Sequence, residues 1–141
     1  MFEIDKIPVH IRRALADKGV AWEAVYLTAY CDMNREHTYC DTYLIATADT
    51  LYILSGTVGL VSRENRAKGG LDSVWHETEW REYPLSELKD FRLEELLSGA
   101  RLTAKTPGGE YVFLTAMSNF CKSSVLLFIK YLNKLQRGEI A

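Results

Sequence analysis

The chain lacks several features that would each point to a class of protein. No run of about 18 apolar residues is present, so the sequence predicts no transmembrane helix and no direct membrane insertion. Residues 1–13 carry acids and lack an apolar core, which is not the pattern of a signal peptide. A formal net charge of −2 over 141 residues is too small to predict binding to nucleic acid or to an anionic membrane.

Cysteine is also scarce. Cys31, Cys40 and Cys121 form an odd and sparse set, for which free thiols in a reducing cytoplasm are the simplest interpretation. Cys31, His37 and Cys40 could be combined as zinc ligands, but they lack the close C-x₂-C pairs of zinc sites and a fourth ligand, so we predict no metal site. A nucleophile built from Cys40 and His37, or from a thiol and His76, lacks a residue to orient the base. We therefore predict no catalytic residue and no cofactor.

The composition is that of an ordinary globular protein. It is 48% hydrophobic and 26% charged, and the length is enough for one core without covalent staples. No internal repeat, low-complexity segment or linker is evident, so we predict one domain over residues 1–141.

The first predicted element is a short helix over residues 7–18. Pro8 suits the first turn, because its missing N–H costs nothing there, and Gly19 suits the end of the helix. Its apolar residues share one face: Ile7, Ile11 and Leu15.

Alternating apolar and polar residues predict about seven strands between residues 23 and 115. Residues 56–72 are punctuated by glycine and predict a long mobile loop. Residues 85–97 are compatible with either a helix or a strand. The clearer strands are Trp22–Cys31, Tyr39–Thr47, Thr50–Ser55, Ser73–Tyr83, Ala100–Lys105 and Tyr111–Ala116. On the first strand, Val25, Leu27, Ala29 and Cys31 are expected to point inward, and Tyr26, Thr28 and Tyr30 outward.

A long helix is predicted over residues 118–137, a segment without Gly, Pro or acidic residues. Ser118 or Asn119 would be its N-cap. Apolar residues recur at the spacing of one helical face: Cys121, Val125, Phe128, Ile129, Leu132 and Leu135.

A second apolar stripe lies beside the first on this helix. It consists of Phe120, Leu127 and Tyr131, and basic residues that include Lys130 and Lys134 lie beside it. Such a surface suits a protein partner or a homodimer. The alternative is that a wide apolar face wedges into the core, with the Tyr131 hydroxyl kept in water.

Tyrosines on the first strand form the other predicted interaction surface. Tyr26 and Tyr30 face away from the inward set of that strand, and such residues are favoured where a sheet meets a partner. The alternative is a sheet with ordinary exposed tyrosines.

The order of elements resembles a known architecture. A four-stranded meander, three more strands and a capping C-terminal helix are the plan of pleckstrin-homology-like domains, and residues 84–138 resemble the last three strands and the helix of bacterial members. HIRRALADKGV, TYCDTYLIATADTLYILSG and FIKYLNKLQRGE are similar to the N-terminal cytosolic extension of certain bacterial ABC exporters. We therefore expect an α+β, mainly β fold: a seven-stranded antiparallel barrel or sandwich capped by the long helix, with an added short N-terminal helix.

This resemblance implies a non-catalytic cytosolic interaction or regulatory domain, expected in the cytoplasm or on the cytosolic face of a transporter. Its partner would be another protein or its own downstream domains. No G-x-x-x-x-G-K-[ST] loop is present, so any ATPase lies outside these residues. The first hairpin loop holds Arg35 between Asp32 and Glu36, which argues against phosphoinositide binding. The alternatives are a stand-alone barrel that binds a small apolar ligand in its mouth, and a small enzyme.

Overall fold

The alternating segments form two sheets in the computed structural model, which describes residues 2–33, 39–60, 73–96, 99–114, 117 and 119–139. The fold is mainly β with two helices, one of them C-terminal. The helices are α1 (Val9–Asp17) and α2 (Asn119–Gln136), and Trp22–Ala24 and Leu85–Glu87 form 3₁₀ turns. The strands are β1 (Phe2–Glu3), β2 (Val25–Met33), β3 (Tyr39–Thr47), β4 (Thr50–Leu60), β5 (Ser73–Pro84), β6 (Lys89–Leu96), β7 (Gly99–Thr106) and β8 (Gly109–Leu114).

Backbone pairing separates the strands into a five-stranded sheet, in the order β1-β2-β3-β4-β5, and a three-stranded sheet, β6-β7-β8. All neighbours are antiparallel except β1 and β2, which are parallel. The predicted order of an N-terminal helix, about seven strands and a C-terminal helix is therefore confirmed, with the short β1 added. The two sheets do not close into a barrel through backbone pairing of the described residues.

Two predicted strand bounds were wrong. The first strand begins at Val25, because the three residues before it form a 3₁₀ turn. The third strand continues past Gly56 to Leu60, into the segment predicted as a loop, and residues 61–72 of that segment lie outside the described part of the chain. A Cβ built on Gly56 would lie 2.4 Å from the carbonyl oxygen of His76 and 2.7 Å from the Trp75 ring. Because glycine has no Cβ, β5 can approach β4 closely at a bulge here, and the pairing of the two strands continues beyond it.

In the ambiguous segment 85–97, residues 85–96 form a 3₁₀ turn and then strand β6, and residue 97 lies outside the described part of the chain. Leu85, Leu88 and Phe91 are all buried, although their spacing of three residues resembles that of a helix. The backbone of Asp90 has φ = 52°, a conformation incompatible with a continuous α-helix. Burial of these three side chains in the core therefore outweighs local helix propensity.

Both faces of the five-stranded sheet are buried. The inner cluster lies between the two sheets and α2 and includes Leu27, Leu44 and Phe113. The outer cluster lies on the opposite face of the five-stranded sheet, where α1 packs against Ile45 and Leu54. The helix ends near Gly19 as predicted, because Gly19 adopts φ = +83° and its N–H donates to the carbonyl of Ala16 at 2.9 Å. It begins at Val9 rather than at residue 7, so its buried residues are Ile11 and Leu15, and Ile7 is buried just before it.

The prediction that the Val25 side chain points inward was wrong. Val25 pairs with Thr47 and Leu27 pairs with Ala46, so a bulge lies at Tyr26. The extra residue turns Val25 to the opposite face of the sheet, where it joins the outer cluster. Leu27, Ala29 and Cys31 belong to the inner cluster as predicted.

Helix α2 covers the inner cluster with the predicted stripe, and packs against β2 and β6. Two side chains also bind its last turns to the turn and strand around β6. Asn133 Nδ2 donates to the Phe91 carbonyl at 3.3 Å, and Gln136 Nε2 donates to the carbonyls of Leu88 at 2.7 Å and Leu85 at 3.1 Å. The residues of the stripe are buried or, for the last, partly buried: Cys121, Val125, Phe128, Ile129, Leu132 and Leu135.

One arginine connects the two sheets. Arg81 on β5 is only 12% exposed, and its Nη2 donates to the carbonyl of Phe113 on β8 at 2.8 Å. Its Nη1 donates to the Tyr83 hydroxyl at 3.0 Å, and its Nε lies 2.6 Å from Glu79 Oε1. The Tyr83 hydroxyl shares a hydrogen bond of 3.2 Å with Tyr111 on β8. This group of side chains, which we call the Arg81 junction, joins two strands that share no backbone ladder among the described residues.

We expect Arg81→Ala to lower the free energy of unfolding by about 3 kcal/mol, because it leaves Glu79 and the Phe113 carbonyl largely buried without their cation. Urea denaturation measures this loss. Arg101→Ala is the matched control, because Arg101 pairs with Glu94 at 35% and 41% exposure and is expected to contribute less than about 1 kcal/mol. Equal losses in the two variants would contradict the connecting role of Arg81.

Candidate functional site: the outer face of the C-terminal helix

The surroundings of α2 divide its surface into four sides. One side covers the inner cluster. A second faces β6, where Lys122 pairs with Glu95 and Asn133 reaches the strand backbone. A third faces the N-terminal arm, which we define as residues 2–5, and contributes Ser124 and Tyr131. The remaining side, which we call the outer face of α2, is exposed and consists of Ser123, Leu126, Leu127, Lys130, the partly exposed Lys134, and Arg137 just beyond the helix.

The predicted second stripe lies at the border between the outer face and the arm. Leu127 is 43% exposed. Tyr131 is partly buried, because the ring of Phe2 packs on it with ring centroids 4.4 Å apart, and Lys134 Nζ lies 5.4 Å from the Tyr131 ring centroid. Lys130 is exposed beside them. The side chain of Phe120, the remaining predicted member, lies outside the described part of the structure.

Two exposed apolar residues of this region were missed by the sequence analysis. Leu126 is 47% exposed at the other border of the outer face, and Phe2 on the arm is 44% exposed. Leu126 could have been found, because a helical projection places it outside the buried stripe. Phe2 gave no such signal, because its position beside Tyr131 depends on pairing between β1 and β2.

Tyr26 and Tyr30 do not form one surface with each other. Tyr26 packs against the inner cluster and Tyr30 against the outer cluster. The Tyr30 hydroxyl donates to Asp41 Oδ1 at 2.6 Å, and its ring packs on Tyr43 with centroids 5.3 Å apart. Both predicted residues thus have structural contacts within the fold, and neither lies on the outer face of α2.

The charge of the outer face has one sign. Residues 118–137 contain four basic residues and no acidic residue, although the whole chain carries a net charge of −2. Lys122 is engaged by Glu95 and Arg137 by Glu139, whose Oε1 accepts from Arg137 Nε at 3.0 Å. Viewed down the helix axis, Lys130 and Lys134 fall between the directions of Leu126 and Leu127. The exposed leucines and the two positive charges therefore share one face. The surface can pair an apolar contact with the binding of carboxylates.

A second cluster with altered titration lies beneath α1. His10 stacks on Trp75 with centroids 5.7 Å apart, and Tyr43 meets Trp75 edge-on at 6.0 Å. Burial lowers the pKa of His10, and the charge of Asp41 opposes this only in part. Burial, together with the hydrogen bond to Asp41, raises the pKa of Tyr30 far above its usual value, and burial raises the pKa of Tyr43 to about 12. These groups favour a neutral imidazole and protonated phenols, and the cluster joins β2 to β3 by the hydrogen bond between Tyr30 and Asp41 and joins α1 to β5 by the stacking of His10 on Trp75.

An open groove of about 630 Å³ lies at the C-terminal end of α2. Its apolar floor includes Leu85, Leu88 and Leu135. Two of the charged groups at its rim are in ion pairs: Asp90 Oδ2 lies 3.5 Å from Lys105 Nζ, and Arg137 pairs with Glu139. Lys89, which is exposed, and Asp49 also line the groove, and its size suits a small molecule.

The combinations of cysteine with His37 that the sequence offers lie partly outside the described residues. Cys40 Sγ lies 3.6 Å from Thr42 Oγ1, and His37 is outside the described residues. Within the described ranges, no group of three or more His, Cys, Asp and Glu side chains is placed to hold a metal ion. No helix in that part of the chain has the length and apolarity needed to cross a membrane. Searches of protein-family models, curated proteins and solved structures find no match to this chain.

We expect the stability of the protein to fall as the pH decreases through 6.5, the ordinary pKa of histidine. Because the folded state lowers the pKa of His10, the unfolded chain binds the proton more readily, and acid therefore favours unfolding. Urea denaturation at pH 7.5 and pH 5.5 measures the loss. His10→Gln should lose less stability over the same interval, and an identical pH dependence in the two proteins would exclude His10 as the cause.

Proposed function

We propose that this chain is a non-catalytic interaction domain that docks a partner protein on the outer face of α2. The observation that supports this proposal most is the pairing of Leu126 and Leu127, both more than 40% exposed, with Lys130 and Lys134 on a helix that has no acidic residue. Neither leucine is needed to cover the core, which the opposite stripe of the helix already covers. Exposed apolar residues beside charge of one sign are typical of a docking surface.

We also propose that the architecture is pleckstrin-homology-like. Four consecutive antiparallel strands, β2 to β5, are followed by three, β6 to β8, and then by the helix that covers the inner cluster. The Arg81 junction supports a barrel-like arrangement, because it joins β5 to β8 by side chains where no backbone ladder is present in the described residues. The interior between the sheets is filled by large side chains such as Phe113 and Phe128, which favours a docking surface over a ligand cavity inside the fold.

The partner we propose is an amphipathic segment with leucine-like residues on one face and carboxylates on the flank. Its apolar residues would cover Leu126 and Leu127, and its carboxylates would meet Lys130 and Lys134. Opposite charges at the rim raise the rate of association and orient the partner, and the apolar contacts supply most of the affinity.

An amphipathic helical peptide of about 16 residues, with Leu on one face and Glu on the other, is the probe for this surface. We expect calorimetric titration to show binding of this peptide and weaker binding of a counterpart with Lys in place of Glu. The double change Leu126→Ser and Leu127→Ser should weaken binding on the order of tenfold, since each leucine is already about half buried.

Val9→Ser is the control, because Val9 is an exposed apolar residue on α1, away from this surface. This change should leave peptide binding unaltered. Equal affinity for the Glu and Lys peptides, or equal binding by the Val9 variant and the double leucine variant, would contradict the proposed docking face.

We propose, on the strength of the resemblance alone, that this domain acts on the cytosolic face of an ABC exporter, with its partner in the same polypeptide or complex. An antibody raised to this chain and used on separated cell fractions tests that setting. A band much larger than 16.1 kDa in the membrane fraction is the expected result. A single band at 16.1 kDa outside the membrane fraction would contradict the exporter setting and leave the docking face to be judged by the peptide titration.

A further inference from the structure

The N-terminal arm lies in a groove between the free edge of β2 and helix α2. Phe2 pairs with Leu27 and Glu3 with Thr28 in parallel register. The N–H groups of Ile4 and Asp5 then donate to the Thr28 carbonyl at 3.1 and 3.4 Å. The arm thus adds a short extended strand to the edge of the five-stranded sheet, which is how many extended peptides bind to proteins.

Asp5 fixes the arm to both walls of the groove. Its Oδ2 accepts from the backbone N–H of Tyr30 on β2 at 2.9 Å, and its Oδ1 accepts from Ser124 Oγ on α2 at 3.4 Å. Its backbone carbonyl accepts from Thr28 Oγ1 at 2.8 Å. One carboxylate therefore satisfies a strand donor and a helix donor at the same time.

The other side chains of the arm alternate between the groove and water. Ile4 is partly buried against the inner cluster. Phe2 packs on Tyr131 but remains 44% exposed, and Glu3 is exposed with a 3.6 Å ion pair to Arg12. An extended segment of four residues in this groove therefore meets three kinds of group. They are the Tyr131 ring, the apolar side chains of the inner cluster, and two donors that bind a carboxylate.

Apart from the hydrogen bonds of Ile4 and Asp5, few contacts hold the arm in this groove. Its ladder with β2 involves two residues, and two of its four side chains are exposed. Short edge strands with few buried contacts open at little cost compared with the rest of a fold. Its covalent connection to α1 gives it an effective concentration on the order of millimolar, which a competing segment has to overcome.

We propose that the groove between β2 and α2 is a peptide-binding site, and that its occupant in a complex is an extended partner segment with the pattern aromatic–any–aliphatic–Asp. The chain's own Phe2, Glu3, Ile4 and Asp5 show this pattern and hold the site closed in its absence. The partner segment replaces the arm residue for residue, pairing with β2, stacking on Tyr131 and binding the donors of Tyr30 and Ser124 through its Asp. This groove adjoins the outer face of α2 but binds its occupant through different residues, so the two proposals are tested by different variants and peptides.

The test uses the full chain and a variant that lacks residues 2–5. The probe is the peptide Phe-Glu-Ile-Asp-Lys with photoreactive benzoylphenylalanine in place of Phe, so that weak binding is trapped as a covalent adduct and mapped by mass spectrometry. We expect adducts on α2 around Tyr131 in the shortened chain, and at least about tenfold fewer in the full chain, where the arm competes. Replacing Asp by Lys in the peptide should abolish the adduct, and replacing Glu by Gln should not.

A second variant, Phe2→Ala with Asp5→Ala in the full chain, guards against misfolding of the shortened chain. It loosens the arm without removing backbone, and it should also give more adduct than the unchanged protein. If a cooperatively unfolding variant yields no more adduct with the Asp peptide than with the Lys peptide, the proposal is wrong. Dimerisation of the full chain that this double change abolishes would overturn it as well, because the groove would then belong to the arm of a second copy.

Discussion

The structure depends on one largely buried guanidinium group. Because the two sheets share no backbone ladder among the described residues, the relative position of β5 and β8 is set by the inner cluster and by Arg81. The hydrophobic effect has no preferred direction, whereas the planar guanidinium donates hydrogen bonds to the Tyr83 hydroxyl and the Phe113 carbonyl in a defined geometry and pairs with Glu79. The helix that carries the candidate site, α2, covers this inner cluster and packs against β2 and β6.

Periodicity predicted the elements well because each strand and the C-terminal helix bury a regular face. Periodicity could not reveal which helix or sheet packs against each face. The alternation of Tyr43 and Ile45 with Leu44 and Ala46 did not show that both faces of β3 are buried, since the second cover comes from α1, far away in the sequence. No local sequence pattern indicates the bulge at Tyr26, which turns the Val25 side chain to the opposite face of the sheet. For residues 85–97, the deciding factor was the burial of Phe91 against Phe113, which is a long-range contact.

The candidate site was partly predictable for the same reason. A helical projection placed Leu127, Tyr131, Lys130 and Lys134 together, because positions on one helix are fixed by local geometry. Local geometry does not determine which other strands or helices will pack over a given residue. Phe2 shields Tyr131, and Tyr26 and Tyr30 contact different clusters, because pairing at the edge of β2 and the hydrogen bond to Asp41 decide their surroundings.

The acid-free helix has a consequence for the first encounter between molecules. A chain with a net charge of −2 that has four basic residues and no acidic residue within residues 118–137 carries its excess negative charge on its other residues. Over distances up to the Debye length, about 8 Å at physiological salt, a negatively charged body is therefore attracted to the cations of this segment. Collisions are then biased toward α2 before any side chain touches, and this bias weakens as ionic strength rises, even though every contact in the final complex is unchanged.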